Sequence, residues 1–390
     1  VLLVFAWQLL HRLAVQPQAH LSILISEGCK VNYKFSLSVF FAILAIAAGS
    51  FLYVFKMQDG KQVVGEWWLV NSYQFKDAAA ESIKSKKIIV VSGSNSLFSI
   101  NGDTLTAKTG LPVVNLSTHA GLDLNYHFYI IKKYMKDGDV VVMPLEFEYY
   151  SATGKPTDWF VNNMTGWGHD YVSSLSMYEY VKFLMNVTPK RMIEGLRETD
   201  KGYVDTKDKV LERFAIADGA YNGYSYKSMD KSGGINYMAN QKTVFDNIEK
   251  GEFNYSSNIS VPSSYSISLL RDIKDFVESH NGKLVLTWPV TMRNPSFDTD
   301  SMTTMQSLNH LKGSLESEGL EIKCSPSASN LGRKFFMDSA YHTNGYGAKI
   351  RSTFLGDCLN TVLFNKGGYN DDQNFRAVIL EMENKTPFHD

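Results

Sequence analysis

The run Lys87-Ile-Ile-Val-Val91, followed by Ser92-Gly93-Ser94-Asn95, constrains this chain more than any other stretch. Consecutive β-branched residues without alternation read as a strand buried on both faces, the signature of a parallel sheet. Gly93 interrupts the run, and Ser94 falls at the strand's C-terminal end, where a helical pattern begins. Ligands of open α/β sheets gather at that edge. A tight turn there lifts a hydroxyl out of the sheet and turns the next helix's N–H groups toward an anion.

The rhythm around this strand extends the reading. A helix is predicted over Phe75–Ser85, then the Lys87–Val91 strand and a helix over Ser96–Thr109 closed by Gly110. A strand at Pro112–Leu116, a helix over Leu122–Met135 and a strand at Asp139–Pro144 follow. This βαβαβ alternation predicts a parallel sheet with helices on both faces. It lapses over 150–260, which is rich in Tyr, Asn, Ser and Gly. That stretch reads as an insertion with amphipathic helices near Ser176–Met185 and Lys190–Thr199. The alternation resumes with a helix over Ser264–His280, a strand at Lys283–Trp288, a helix near Ser301–Glu318 and a strand at Glu321–Cys324. A last helix is expected over Gly345–Leu355, and the tail after Gly367 reads as polar and peripheral.

Phe35 to Phe55 is apolar or small throughout, and Lys34 and Lys56 bracket it. Roughly 20 such residues match the ~30 Å hydrocarbon core of a bilayer. A buried core helix of that length would show a polar face, and this one does not. Ala47-Ala-Gly-Ser fits a signal-peptide cleavage site, but the apolar run continues through Phe-Leu-Tyr-Val-Phe, which favours an uncleaved anchor. Lysines and arginines on the two flanks do not orient it. Trp67-Trp68 fits a lipid interface or a core equally. The expected organisation is therefore an N-terminal segment, 1–34, without structure of its own; an anchor, 35–56; a linker, 57–74; an α/β domain, 75–365, with the insertion 150–260; and a tail, 366–390. A short membrane-associated helix at Val1–Val15 is the competing reading of the start.

Composition narrows the partners. A formal net charge of −1 lacks the basic footprint of a nucleic-acid binder. Aromatic content of 13% is high, which fits core filling by Phe or contact with carbohydrate or another interface. Of three cysteines, Cys29 precedes the apolar segment, so Cys324 and Cys358 are the pair that can bond; the fold is not expected to depend on it. No Cys or His spacing points to a metal, and no GxGxxG or P-loop points to a nucleotide, so no cofactor is expected.

A serine needs an adjacent base and a place for the oxyanion before it attacks an ester. Phe335-Phe-Met-Asp338-Ser-Ala-Tyr-His342 places an acid and an imidazole on one loop after the last strand. His342 is the expected base and Asp338 the carboxylate that fixes its tautomer. Asn115-Leu-Ser-Thr-His119-Ala-Gly121 follows the second strand. The Gly121 N–H could join that of Ser94 in an oxyanion hole, or Gly121 could serve a turn. His119 is a second possible base or a sheet-edge histidine. Glu146, after the third strand, could bind substrate hydroxyls, orient a histidine or form a structural ion pair. Trp288 and Arg293, after the fourth, suit a sugar or acyl donor or a packed corner.

These residues, in this order, resemble the SGNH/GDSL hydrolase superfamily, and most nearly its membrane-anchored members associated with bacterial surface-polysaccharide modification. Gly93-Ser94-Asn95, the Asn115 to Gly121 loop, Pro144-Leu-Glu146 and Asp338 with His342 carry the resemblance over 75–150 and 265–355. It implies a three-layer αβα flavodoxin-like parallel sheet, with Ser94 as nucleophile, Gly121 as oxyanion donor, and Asp338 and His342 as acid and base. It further implies a single-pass protein of the bacterial cytoplasmic membrane with an extracytoplasmic domain. The substrate would be an acylated glycan or small ester, and polysaccharide-assembly proteins would be partners. The chain departs from the family in three ways. Ser92-Gly93-Ser94-Asn95 replaces Gly-Asp-Ser-Leu. Asp338 and His342 are four apart where three is commoner. Pro144-Leu-Glu146 stands where Gly-x-Asn-Asp is expected, which removes an oxyanion donor that Asn95 or an insertion residue would have to replace. A non-catalytic, membrane-tethered glycan-binding scaffold is the alternative.

Overall fold

The computed structural model describes residues 33–61, 65–197, 204–219, 223–236, 254–255, 259, 261–370 and 374–386. The expectations for residues 1–30 lie outside the described residues. The chain divides into two units, one of 1–65 with 161–201 and one of 66–160 with 202–390.

The larger unit is mixed α/β. Its strands are β1 (Ile88–Val90), β2 (Val113–Asn115), β3 (Val140–Pro144), β4 (Lys283–Thr287), β5 (Thr291–Met292), β6 (Ile322–Lys323) and β7 (Asn330–Leu331). Five form one sheet in the order β2-β1-β3-β4-β6, while β5 and β7 pair separately. Every ladder is parallel; Ile88 registers with Val113 on one side and Val140 on the other. The β-branched run is therefore central, and Ile88 to Val91 are fully buried. From β1 the chain goes outward to β2 and then crosses back to β3. The C-terminal ends of β1 and β3 consequently flank the crevice where helices diverge.

Helix boundaries differ from expectation where polar side chains intervene. The stretch read as a single helix after β1 is two, Ser94–Ser99 and Gly102–Thr109. Between them, extended Ile100 is buried, Asn101 Oδ1 caps the second helix by accepting from Thr104 N at 2.9 Å, and Ser352 Oγ accepts from Asn101 N. The helix expected from Phe75 begins at Trp68, within the stretch read as linker. The last sheet-packed helix runs from Gly345 to Phe364, well past Leu355. It packs over β1 and β3, with Leu355 and Leu359 in the same cluster as Ile88, Val90, Val140 and Val142.

The tail is not peripheral. Phe375 and Ile379 of the helix Phe375–Lys385 are buried, and Phe375 meets Phe354 edge-on at 5.3 Å. Cys324 and Cys358 form a disulfide that ties the end of β6 to the Gly345–Phe364 helix. Closing a loop of that size stabilises a fold by roughly 3–4 kcal/mol in the chain-entropy treatment, so the fold does draw on the disulfide.

The smaller unit is helical. Its helix Tyr33–Lys56 is long and apolar enough to cross a membrane. Phe55, at its end, is buried, stacked on His169 at 5.4 Å and set edge-on to Phe183 at 6.3 Å. Gln58 Nε2 donates to the Met192 carbonyl at 2.9 Å, and Gly60 N to the Gly166 carbonyl at 2.8 Å. These partners lie on short helices of the 150–260 insertion. One of them, Met177–Leu184, opens with a capping box in which Ser176 and Glu179 satisfy each other's backbone N–H groups. The insertion is thus shared: 161–197 joins the apolar helix, whereas Tyr226, Met229 and Ile235 pack in the α/β unit against Phe75 and Phe98. Residues 237–253 of it lie outside the described residues.

Candidate functional site

β1 ends in Ser92-Gly93-Ser94, and Ser94 opens a short helix. Gly93 is needed for space: a Cβ there would sit 2.4 Å from Glu146 Oε1 and 2.7 Å from Ala120 Cα. The turn therefore presses against the ends of β2 and β3. Glu146 Oε2 accepts from Gly93 N at 3.2 Å and Oε1 from Asn95 N at 3.1 Å, which clamps the backbone on both sides of Ser94. Burial pushes the Glu146 carboxyl up, and the Asn95 hydrogen bonds oppose that shift.

Asn95 is fully buried below the turn. Its amide nitrogen donates to the Pro144 carbonyl at 2.9 Å and to Ser92 Oγ at 3.1 Å; its oxygen accepts from Arg351 at 3.1 Å. Arg351 is itself buried, donates to Ser99 Oγ and the Trp288 carbonyl, and is pushed down to about 9 by burial, with Glu146 acting in the opposite direction. Thus a carboxylate, an amide and a guanidinium hold the serine turn from beneath.

The loop after β7 brings the other two groups. Ser94 Oγ lies 2.9 Å from His342 Nε2, and His342 Nδ1 lies 2.9 Å from Asp338 Oδ1. The loop is pinned by Met337 N to the His342 carbonyl at 2.9 Å and by Thr343 Oγ1 to the Phe98 carbonyl at 2.9 Å. Phe98 also packs on the imidazole, with ring centroids 4.4 Å apart. Tyr224 of the insertion adds a group: its hydroxyl donates to Asp338 Oδ2 and lies 3.0 Å from His342 Nδ1. With Asp338 ionised, Nδ1 carries the proton and Nε2 is free to accept from Ser94. Burial pushes the Asp338 carboxyl up, but the His342 hydrogen bond and charge and the Tyr224 hydroxyl together outweigh it, leaving it below its ordinary value.

The loop after β2 is differently occupied. Gly121 N donates to His119 Nδ1 at 2.9 Å, so the expected oxyanion donor is engaged by its own loop. His119 stacks on Trp159 at 4.3 Å and has Nε2 3.8 Å from Glu66 Oε1. Burial lowers its pKa, Glu66 raises it, and His342 lowers it further. Glu66 also accepts from the indole N–H groups of Trp68 and Trp159, at 2.5 and 3.3 Å. Beneath, Tyr149 hydroxyl bonds the Ala120 and Leu122 carbonyls at 3.1 and 3.0 Å and lies 2.8 Å from buried His127 Nε2. Burial pushes His127 down to about 3, so it is neutral near pH 7 and donates from Nε2.

The structure therefore brings Ser94, His342 and Asp338 together, with His119 and Glu146 beside them. Three expectations are corrected. The Asn95 side chain is committed to Pro144, Ser92 and Arg351, and it cannot face an oxyanion without losing them. Trp288 is buried and donates to the Cys324 carbonyl at 2.9 Å, so it is the packed corner rather than a platform. Arg293 pairs with Glu383 of the C-terminal helix at 3.4 Å. The Ser94 N–H has no acceptor among the described residues and remains the one expected oxyanion donor free to act. Tyr224, Arg351 and His127 had no signal in the sequence, since each matters through a partner far along the chain. Among the described residues no cluster of three His, Cys, Asp or Glu side chains could hold a metal. The chain matches no family model, no curated protein and no solved structure.

Proposed function

We propose that the protein is a membrane-anchored serine esterase or O-acyltransferase acting on an extracytoplasmic acylated glycan. The carrying observation is the continuous array Ser94 Oγ, His342, Asp338 with both links at 2.9 Å. The strand order, flavodoxin-like when the small β5/β7 pair is set aside, supports the resemblance to SGNH hydrolases. The apolar Tyr33–Lys56 helix supports an anchor, and the Cys324–Cys358 disulfide supports the oxidising side of the membrane.

In this mechanism Ser94 Oγ attacks the ester carbonyl carbon and its proton passes to His342 Nε2. The Ser94 N–H stabilises the oxyanion. Collapse breaks the ester C–O bond, and the leaving alcohol takes the proton from His342, leaving an acyl-enzyme. Water or a sugar hydroxyl then attacks, gives its proton to His342, and Ser94 is released with that proton. Water makes the reaction a deacylation; a sugar hydroxyl makes it a transfer.

The engaged Gly121 N–H and Asn95 amide favour a second reading, a glycan-binding scaffold without turnover. Fluorophosphonate labelling of the full chain in detergent, compared with Ser94→Ala, separates the two. Labelling of the wild type that vanishes in the variant is expected. No labelling of folded wild type overturns the catalytic reading and leaves the scaffold.

A further inference from the structure

In the helical unit, Met177–Leu184 is apolar on two opposite sides. Phe183 is buried against Phe55. Turning about 100° per residue, the opposite side carries Met177, Tyr178, Val181 and Met185, with Lys182 at its edge. Met177 and Tyr178 are each 78% exposed and Met185 65%. Ile193 and Leu196, beyond the next turn, are exposed as well. A water-facing surface this apolar signals an occupant.

The packing of Phe55 identifies it. Phe55 is the last apolar residue of the Tyr33–Lys56 helix, and Lys56 is the first charge after Lys34, so Phe55 marks the C-terminal end of the apolar span. The helix seated on Phe55 by Phe183 is consequently held at the level where hydrocarbon gives way to water. Its other attachments, Gln58 to Met192 and Gly60 to Gly166, join the chain just after the span. Tyr is at home at that depth, and Lys182 and Lys190, both exposed, can extend their amines to lipid phosphates while their stems stay in apolar surroundings. At eight residues the Met177–Leu184 helix is too short to span, and what marks an interfacial helix is its two-sided pattern rather than its length.

We infer that Met177, Tyr178, Val181, Met185, Ile193 and Leu196 form a monotopic membrane seat, occupied by the lipid surface of the same bilayer that the Tyr33–Lys56 helix enters. The inference rests on the anchor reading. Two attachments, one spanning and one lying flat, then restrain the start of the extramembrane chain from swivelling about a single helix.

The test uses the full chain in lipid nanodiscs, with Cys29→Ser removing the third cysteine of the sequence. A fluorophore is attached singly through Ile46→Cys in the span, Met185→Cys in the seat, or Lys349→Cys on the α/β unit. All three positions are exposed. Phospholipids brominated on their acyl chains are the quencher, and interfacial helices bury their apolar side about 5–10 Å deep. At least a halving of fluorescence at positions 46 and 185, with none at 349, is expected. Quenching at 46 but not at 185 overturns the seat and leaves the anchor standing, including the case in which a second copy or another protein shields 185 from aqueous iodide. No quenching at 46 overturns the anchor reading itself, and the seat with it.

Discussion

The turn after β1 and the loop after β2 end neighbouring strands at the same edge of the sheet, yet they are built on opposite principles. The Ser94 turn is held by charge: Glu146 accepts from the backbone on both sides of the serine, and Arg351 reaches Asn95 from below. The His119–Leu122 loop is held from beneath by neutral groups, with Tyr149 bonding two of its carbonyls and buried His127 supporting Tyr149, and only at its rim does the Glu66 carboxylate approach His119. The first arrangement commits Glu146, Asn95 and Arg351 to holding the turn and leaves the serine hydroxyl to His342 alone. The second turns its own N–H inward, to His119. The rigidly held Ser94 turn therefore sits beside a loop whose Gly121 N–H is engaged by His119.

Breaking the charged side should have the largest effect. Arg351→Met strips donors from Asn95 Oδ1, Ser99 Oγ and the Trp288 carbonyl and leaves Glu146 buried without a balancing cation. Removing one partner of a buried charged group costs about 3–5 kcal/mol. Urea unfolding should show that loss, and the surviving folded fraction should label more slowly at Ser94. A loss under about 1 kcal/mol would mean that Glu146 is protonated at rest and needs no counter-charge.

Breaking the neutral side should cost less and depend on pH. The folded pKa of His127, about 3, lies below its ordinary 6.5. Between those values the unfolded chain binds the extra proton, so the stability this neutral histidine contributes is complete above about pH 6.5 and is lost as pH falls toward 3. His127→Gln keeps a donor and removes the titration. It should cost about 1 kcal/mol at pH 7 and flatten the acid limb of the stability profile. An unchanged acid limb would show that other groups govern it.

The smallest effect, and the most informative for the site, belongs to His119→Ala. It frees the Gly121 N–H while removing a side chain only one-third exposed, so unfolding should shift by about 0.5–1 kcal/mol. If the resemblance to the SGNH family extends to Gly121, Ser94 should label faster in this variant. A slower rate would assign His119 a direct part in the chemistry and end the contrast between the two loops.

How much of this was legible follows the reach of each signal. Apolar segments in a βα rhythm identified all five strands of the main sheet to within two residues, most plainly the β-branched runs of β1 to β3, because burial on both faces imposes composition locally. The long apolar run and the Asp338/His342 loop were equally plain. Boundaries failed where a distant side chain set them: Asn101 caps a new helix with Ser352 accepting its N–H, and aromatic packing by Phe354 and Phe375 secures a tail that looked merely polar. Trp288 and Arg293 carried ligand-like chemistry, but Cys324 and Glu383 take it up.

What the sequence determined by itself is what depends on period and order along the chain: the parallel strands, the placement of Ser94 at a strand end, the apolar span, and an acid and imidazole on one loop. Only the tertiary structure decided which polar atoms are free. That choice committed Asn95 and Gly121 inward, brought Tyr224 from the insertion to Asp338, and set Arg351 under the serine turn. The reason is that a buried donor or acceptor must find a partner somewhere in the fold, and the nearest one in space is rarely the nearest in sequence.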